Sequence, residues 1–377
     1  MSGFHAIWVV FTDIVPYLLV LTSIVFVHEM GHFLVGRWCG VKVDAFSIGI
    51  GPEIFGFDDK RGTHWRLAAY PIGGYVKFHG DANGASVPDN DSVDAMSKQE
   101  RSVTLQGQPV WKRALVVAAG PGVNFIFAIL LFSGMFYISG RNELPAVVAS
   151  VAKTSVAATA GFEPGDKIVA IGATKINDFN DVQRIIMNSA HVPLGVTVLR
   201  HGQTVLLQVT PAAVVIKSSL GDQTIGRIGI QNDASPGAWQ HISYSLPGAL
   251  RAGSAETWYW VANTGTALKR IVTGHASASQ ISGPIRIGAL AGKMARSSFD
   301  SLISLMAILS VSIGLMNLLP IPMLDGGHLL FYAYEAVFRR PMSERVQEYG
   351  FRFGLATVAA MMIFAISNDI LQMLHLV

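Results

Sequence analysis

The residues with the clearest capacity for chemistry lie in the stretch 25–35, VFVHEMGHFLV, which holds His28, Glu29 and His32. Two histidines four apart project from nearly the same face of a helix, so their imidazoles can occupy two corners of a tetrahedral zinc site. The glutamate between them is then placed beside the metal, where it can act on a water molecule. The pattern predicts two ligands and a base, and it leaves the third protein ligand to be found elsewhere in the chain.

The apolar setting of this motif indicates a membrane protein. The run 14–36 carries no charge outside the motif and is long enough to cross a bilayer, which takes about 20 apolar residues. Ionisable side chains in such a run are costly and by default indicate function. The 377-residue chain is 51% hydrophobic and 14% charged, with a mean hydropathy of +0.42, whereas soluble proteins are about 25% charged. We expect no cleaved signal peptide, since cleavage would remove the motif.

Charge and cysteine content exclude two other classes of protein. The net charge of +3 is too small to indicate nucleic-acid binding. The single cysteine, Cys39, excludes an intrachain disulfide and a cysteine-rich metal site.

Four apolar runs predict four membrane-spanning helices. They lie at about 14–36, 114–138, 301–324 and 353–374. The first two belong to an N-terminal membrane half, and the last two to a C-terminal one. The halves cover residues 1–139 and 301–377.

Lysine and arginine predict the orientation of the spans, because they concentrate in cytoplasmic loops. Ten lie in 37–113 and four in 325–352, whereas 1–36 contains none. We therefore place both loops in the cytoplasm and the region 140–300 outside it. The histidine motif then lies toward the cytoplasmic end of the first span.

Within the first cytoplasmic loop, residues 64–79 are too apolar for a solvated segment. They predict a short membrane-associated β-hairpin around Pro71, Gly73 and Gly74. Extended backbone at membrane depth must be buried in protein or line a cavity, so we expect this hairpin to dip toward the metal site.

The region outside the cytoplasm is predicted to begin with a small α+β domain at 145–212. The pattern indicates strands at 147–151, 167–171, 195–200 and 204–210, and a helix at 178–189. This domain has no catalytic cluster, so we expect it either to bind an extended peptide at a sheet edge or to serve as a spacer. The connecting region 213–300 is predicted to hold a strand at 225–230, an amphipathic helix at 247–271 and a Gly-Pro loop at 281–288.

A candidate third ligand follows the third span. Pro320 and Pro322 break the helix near its end, and Asp325 comes shortly afterwards. An anionic side chain turned into the interior needs a partner, and the incomplete metal site can provide it. His328 also could approach the metal, but we expect it to lie outside the ligand set. Asn124, a polar side chain in the second span, is predicted to bond to a neighbouring helix.

Together these motifs resemble the site-2 protease family, and more closely the bacterial zinc metalloproteases of regulated intramembrane proteolysis. The resemblance is carried by HEMGH at 28–32, Asn317 with the later Asp-Gly-Gly, GPGVNF at 120–125 and YPIGGYVKF at 70–78. It implies a polytopic α-helical membrane protein with four spans. The domain at 145–212 resembles a PDZ domain, and the chain has room for only one.

The resemblance also implies roles for individual residues. Zinc would be held by His28, His32 and Asp325, with Glu29 as the general base. The hydrolysis itself, and not the resemblance, leads us to expect that the side-chain amide of Asn317 or Asn124 donates to the oxyanion or holds the substrate backbone. The implied partners are the lipid bilayer, single-span membrane proteins such as anti-sigma factors, and a peptide at the PDZ-like domain. The implied location is the bacterial inner membrane, with the PDZ-like domain in the periplasm.

Two other classes of function could use the same residues. An intramembrane metal or proton transporter also places histidine and carboxylates at mid-membrane, but such proteins usually show inverted repeats, and the sequence shows none. A catalytically inactive scaffold could bind peptides through the PDZ-like domain. Glu29 argues against a scaffold, which has no use for that carboxylate.

Overall fold

The computed structural model describes residues 10–82, 95–216, 223–233, 235, 237–273 and 283–375. It divides into two compact units. The first combines both ends of the chain, Met1–Met135 and Leu246–His375, and the second is the continuous segment Phe136–Ser245.

Helices dominate the first unit. In chain order, the helices of the described chain are α1 Val15–Trp38, α2 Lys98–Arg101, α3 Val110–Ser139, α4 Val156–Thr159, α5 Phe179–Met187, α6 Leu246–Val272, α7 Pro284–Ser297, α8 Phe299–Asn317, α9 Asp325–Phe338 and α10 Glu344–His375. A π-helical turn, Val10–Ile14, precedes α1.

Four of these helices are long and apolar enough to cross a membrane, which agrees with the four predicted spans. The candidate spans are Phe11–Trp38, which joins the π-helical turn to α1, and Val110–Ser139, Phe299–Asn317 and Arg345–Leu374. The third is shorter than the predicted 301–324, because Pro320 and Pro322 end the helical pattern and α8 stops at Asn317. Part of the predicted loop 325–352 is helical, since α9 begins at Asp325.

The strands are β1 Val43–Asp58, β2 His64–Phe78, β3 Arg141–Glu143, β4 Ser150–Val151, β5 Lys167–Ile171, β6 Thr174–Lys175, β7 Leu194–Arg200, β8 Gln203–Val209, β9 Ala212–Ile216, β10 Gln223–Arg227, β11 Ile230–Gln231 and β12 Gln240–Ile242. Of the strands in the described residues, only β1 and β2 lie in the first unit.

The hairpin predicted within 64–79 is confirmed only in part: the segment is extended and reverses direction near Gly73, but its two arms pair with β1 and not with each other. The segment forms one long strand, β2, whose antiparallel partner is β1. Gly73 has φ +87°, a conformation that glycine adopts easily, and it lies where β2 bends. The bend changes the direction of the chain while both of its sides stay paired with β1. Ala45 in β1 has partners on both sides, Lys77 and His64, so both ends of β2 pair with the same stretch of β1.

This sheet packs along α1. A buried apolar cluster joins Phe33 of α1 to Phe46 and Val76 of the strands. Thr22 in α1 donates a hydrogen bond from Oγ1 to the backbone oxygen of Pro71, at 3.1 Å. The sheet therefore runs beside the same helix that carries the histidine motif.

Two carboxylates fix α7 within the first unit. Asp369 of α10 accepts hydrogen bonds from the backbone N–H groups of Gly283, Ile285 and Arg286, at 2.9 to 3.1 Å. At the other end of α7, Arg296 forms an ion pair with Asp13. The Gly-Pro loop predicted at 281–288 is thus wrong from residue 284 onward, because proline suits the first turn of a helix. Residues 281 and 282 lie outside the described residues.

The second unit is built on a four-stranded sheet in the order β6-β5-β7-β8. The predicted strand 167–171, the helix within 178–189 and the hairpin near residue 201 are confirmed. Only Ser150–Val151 of the predicted strand 147–151 is a strand, with an isolated bridge at Val147. Ile228 belongs to the buried core of this unit, so the compact unit extends beyond the predicted boundary at residue 212.

The remaining predictions for 213–300 agree only in part. The predicted strand 225–230 is interrupted, since β10 ends at Arg227 and Gly229 has φ +86°. The predicted amphipathic helix 247–271 matches α6, which is two residues longer.

Candidate active site

Three side chains from distant parts of the sequence meet in the first unit. His28 and His32 project from α1, and Asp325 is the first residue of α9. The imidazole Nε2 atoms lie 3.2 Å apart. Asp325 places Oδ2 3.2 Å from Nε2 of His28, and Oδ1 3.5 Å from Nε2 of His32. Within the described part of the chain, these residues form the only cluster of His, Cys, Asp or Glu able to share a metal ion.

The cluster fits a zinc ion. Tetrahedral ligands at zinc bond lengths are separated from each other by about 3.3 to 3.6 Å. The two Nε2 atoms are 3.2 Å apart, and each lies 3.2 or 3.5 Å from a different oxygen of Asp325. Oδ2 of Asp325 is buried and forms no hydrogen bond among the described residues. A buried carboxylate oxygen facing two imidazole nitrogens needs a cation, and two histidines with one carboxylate are a donor set that zinc prefers.

Helix α3 orients both imidazoles from behind. Nδ1 of His32 lies 2.9 Å from the backbone oxygen of Val116, so it carries a proton and leaves Nε2 free for a metal. Asn124 is fully buried, and its Nδ2 lies 3.2 Å from Nδ1 of His28, while its Oδ1 has no hydrogen-bond partner among the described residues. A half-turn of this amide brings Oδ1 to the same position, where it accepts a hydrogen bond from Nδ1–H of His28. Asn124 thus lies behind a candidate ligand, outside the residues that line the cavity.

Glycines allow α3 to approach the histidines this closely. A Cβ on Gly120 would lie 2.5 Å from Cε1 of His32 and 2.9 Å from Cε1 of His28. A Cβ on Gly31 would lie 2.6 Å from the backbone oxygen of Ala119. The sequence indicates close helix packing through the run AAGPG, but it does not single out Gly120 as the position that meets both imidazoles.

A cavity of about 300 Å³ opens beside the three candidate ligands. Glu29, Asn317 and His328 line it, together with Gly73 and Gly74 of β2. A Cβ on Gly74 would lie 3.5 Å from Cγ of Glu29, so the strand passes directly beside the predicted base. The structure therefore brings every predicted site residue except Asn124 to the wall of one cavity.

The position of Asp325 depends on a tight chain reversal after α8. A Cβ on Gly326 would lie 2.5 Å from the carbonyl carbon of Leu318, and one on Gly327 would lie 2.5 Å from the backbone oxygen of Ile321. The reversal sets Asp325 in the first turn of α9, where the helix dipole favours a negative charge. The sequence shows the glycine pair. Only the fold shows that a side chain at either position would clash with the backbone before α9.

Helix α9 is fastened to α3 by a pair that sequence reasoning missed. Arg113 donates a hydrogen bond to Oε1 of Glu335 at 2.5 Å, and its guanidinium lies 5.0 Å from the ring centroid of Tyr332. Residues 113 and 335 are 222 positions apart, and no local pattern marks them as partners.

Known proteins resemble this chain over most of its length. The profile described as Peptidase family M50 matches residues 16–361. The chain is 48% identical over 358 residues to a zinc metalloprotease relative from Agrobacterium fabrum, with 95% of each chain covered. It is 45% identical over 359 residues to one from Mesorhizobium japonicum, covering 95% of this chain and 98% of the relative. It is 40% identical over 380 residues to metalloprotease MmpA of Caulobacter vibrioides, with 95% of each covered.

Proposed function

Because this chain belongs to peptidase family M50 and is a zinc metalloprotease, we propose that it cleaves peptide bonds within or beside transmembrane segments of membrane-anchored proteins. One observation carries the proposal. His28, Glu29 and His32 lie on α1, one of four helices long and apolar enough to span a membrane. A hydrolytic site in such a helix meets peptide bonds that a soluble protease does not reach.

In this proposal, each site residue has a defined task. His28, His32 and Asp325 hold zinc, which supplies an activated water and polarises a carbonyl group. Glu29 accepts the proton of the attacking water and passes it to the leaving amine. Asn317, at the end of α8 and in the cavity wall, holds the substrate backbone. Asn124 keeps the imidazole of His28 in the tautomer that a metal requires.

Strand β2 can hold an unwound segment of the substrate in an extended conformation. A transmembrane helix hides its carbonyl groups in internal hydrogen bonds, so cleavage requires a locally extended segment. Gly73, Gly74 and Val76 line the cavity, which places backbone of β2 beside Glu29. A substrate segment laid along β2 as an added strand would exchange its helical hydrogen bonds for bonds to the sheet.

We propose that the second unit is a single PDZ-like domain that binds an extended peptide. Its cavity of about 320 Å³ lies between α5 and the segment that holds β10 and β11. The positive-inside pattern and the bacterial relatives support an inner-membrane location, with the metal site toward the cytoplasm and this unit in the periplasm. Single-span proteins such as anti-sigma factors are the substrates we propose.

The test uses purified full-length protein in detergent and a reporter with one transmembrane segment. Wild type should contain about one zinc per chain and cleave the reporter. Glu29→Gln should keep the zinc and lose activity by at least about 100-fold, because it removes the proton acceptor. Glu348→Gln is the matched control, since Glu348 lies on the exposed side of α10.

Two results would contradict this proposal. Normal cleavage by Glu29→Gln would remove Glu29 from catalysis. A wild type that cleaves water-soluble peptides but leaves the membrane reporter intact would refute the substrate class, while the metalloprotease assignment would stand.

A further inference from the structure

His328 is the one ionisable side chain in the cavity wall for which the reaction described above has no use. It lies one helical turn after Asp325 on α9, and it lines the cavity together with Glu29. Its ring centroid is 5.4 Å from that of Phe351 and 6.5 Å from that of Tyr332. Among the described residues its ring nitrogens form no hydrogen bond, and the residue lines the cavity. Aromatic contacts therefore hold the ring, and its nitrogens are left for a group that enters the cavity.

A hydrogen-bond donor beside the metal would further accelerate hydrolysis at this site. When water adds to a peptide carbonyl, the carbonyl oxygen gains negative charge, and a preorganised donor that meets this charge accelerates the reaction. The carboxylate of Asp325 only accepts hydrogen bonds, and Glu29, once it holds the proton of the attacking water, passes that proton to the leaving amine. The histidines of α1 are directed at the metal position and at α3. The side-chain donors that remain in the cavity wall are Asn317 and His328.

His328 is the better placed of these two donors. It shares the rigid helix α9 with Asp325, and Arg113 and Glu335 fasten this helix to α3. Asn317 ends α8, where the chain leaves helical structure for the proline-containing reversal. A donor on a rigid element that also carries a candidate ligand holds a fixed distance to the reacting carbonyl.

The protonation state of His328 suits a donor. Burial lowers the pKa of its imidazole, and the nearby charge of Asp325 only partly opposes this effect. A neutral imidazole carries one N–H group, which can donate without giving up its proton. His328 is also outside the cluster whose ligand atoms lie within 4.8 Å of each other, so it is not needed to hold the metal.

We propose that His328 is a further catalytic residue, which donates a hydrogen bond to the carbonyl oxygen of the scissile peptide as that oxygen becomes negative. The proposal rests on the hydrolysis proposed for this site. No bond to His328 is made or broken, and its proton stays on the ring. Its contribution is greater in the transition state than in the bound substrate, so it raises kcat more than it lowers KM.

The test compares His328→Leu, which removes the donor, with His328→Gln, which restores a neutral N–H donor. Phe351→Leu is the matched control, because it removes a ring that packs on His328 and leaves the imidazole in place. Zinc content, kcat and KM for the reporter are measured for each variant. Calorimetry then measures binding of a phosphinic peptide, whose tetrahedral anionic group resembles the transition state, and of the uncleaved reporter peptide in a Glu29→Gln background.

We expect His328→Leu to keep about one zinc and to lose about 100-fold in kcat with KM within about twofold. It should bind the phosphinic peptide at least about tenfold more weakly while binding the uncleaved peptide normally. His328→Gln should recover part of both losses, and Phe351→Leu should lose less than either.

The proposal is overturned if His328→Leu binds the phosphinic peptide and turns over the reporter as wild type does. It is also overturned if His328→Leu loses zinc, because His328 would then support the ligands and not the oxyanion. A wild type that binds the phosphinic peptide in a His328-dependent manner, but cleaves no membrane reporter, would refute only the proposed substrate class.

Discussion

Replacing Gly120 with alanine should disable the metal site through a single added methyl group. Gly120 lies on α3, where the helix passes the edges of both imidazoles. The new Cβ would lie 2.5 Å from Cε1 of His32 and 2.9 Å from Cε1 of His28, whereas ordinary contact begins at 3.4 Å. The ring of His32 must therefore move by about 1 Å, or α3 must retreat by the same amount.

Either movement is large on the scale of metal coordination. Ligand atoms tolerate displacements of about 0.2 Å, so a shift of about 1 Å takes His32 out of the ligand set. A retreat of α3 breaks the 2.9 Å hydrogen bond from His32 to Val116, and lost support of this kind costs about 10- to 100-fold in metal affinity. We expect zinc affinity to fall by at least about 100-fold, because ligand and support are disturbed together.

The assay is competition with a zinc chelator of known affinity, on purified protein in detergent, with helical content followed by circular dichroism. Gly122→Ala is the matched control: it lies two residues further along α3, and a Cβ there has nothing within 4 Å. Alanine favours a helix over glycine by about 1 kcal/mol at both positions, so helix weakening cannot explain a difference. Wild-type zinc affinity in Gly120→Ala would refute the packing argument.

Two further predictions concern a candidate ligand and the second unit. Asp325→Ala should leave two ligands and reduce the zinc content measured by mass spectrometry to well below one per chain; unchanged zinc would exclude Asp325 from the site. Burial by itself raises the pKa of Asp166, but hydrogen bonds from Arg200 and the backbone of Glu163 outweigh it and hold that pKa below its usual range. This stabilisation is complete above pH about 4 and is lost as pH falls through the lowered pKa. Asp166→Asn should therefore speed amide hydrogen exchange in β5 and β7 at neutral pH, and equal exchange would contradict the prediction.

The sequence allowed the chemistry of the site to be predicted because its signals are local or compositional. His28 and His32 are four residues apart on one helix, and this spacing predicts their convergence without any knowledge of tertiary structure. Asp325 was predicted from a different signal, a charged residue after a proline-broken apolar run. The four spans followed from length and hydropathy alone.

The features that could not be predicted from the sequence depend on contacts between residues that are far apart in the chain. The residues of β1 were not predicted to form a strand, because they become a strand through pairing with both ends of β2. The start of α7 was predicted as a loop, because its cap is supplied by Asp369 from a helix some 80 residues later. Asn124 was predicted to bond to a neighbouring helix or else to serve the substrate or oxyanion, and only the packing of α3 on α1 shows that its partner is His28.

The distance along the chain between the candidate ligands also governs when the protein can become active. His28 and His32 are made early in synthesis, whereas Asp325 belongs to the last part of a 377-residue chain. With Asp325 as the third ligand, a chain still on the ribosome holds two imidazoles and the glutamate but lacks the complete set of three protein ligands that catalytic zinc sites use. Activity then begins only after the C-terminal half has entered the membrane. A growing or truncated chain then lacks part of its metal site.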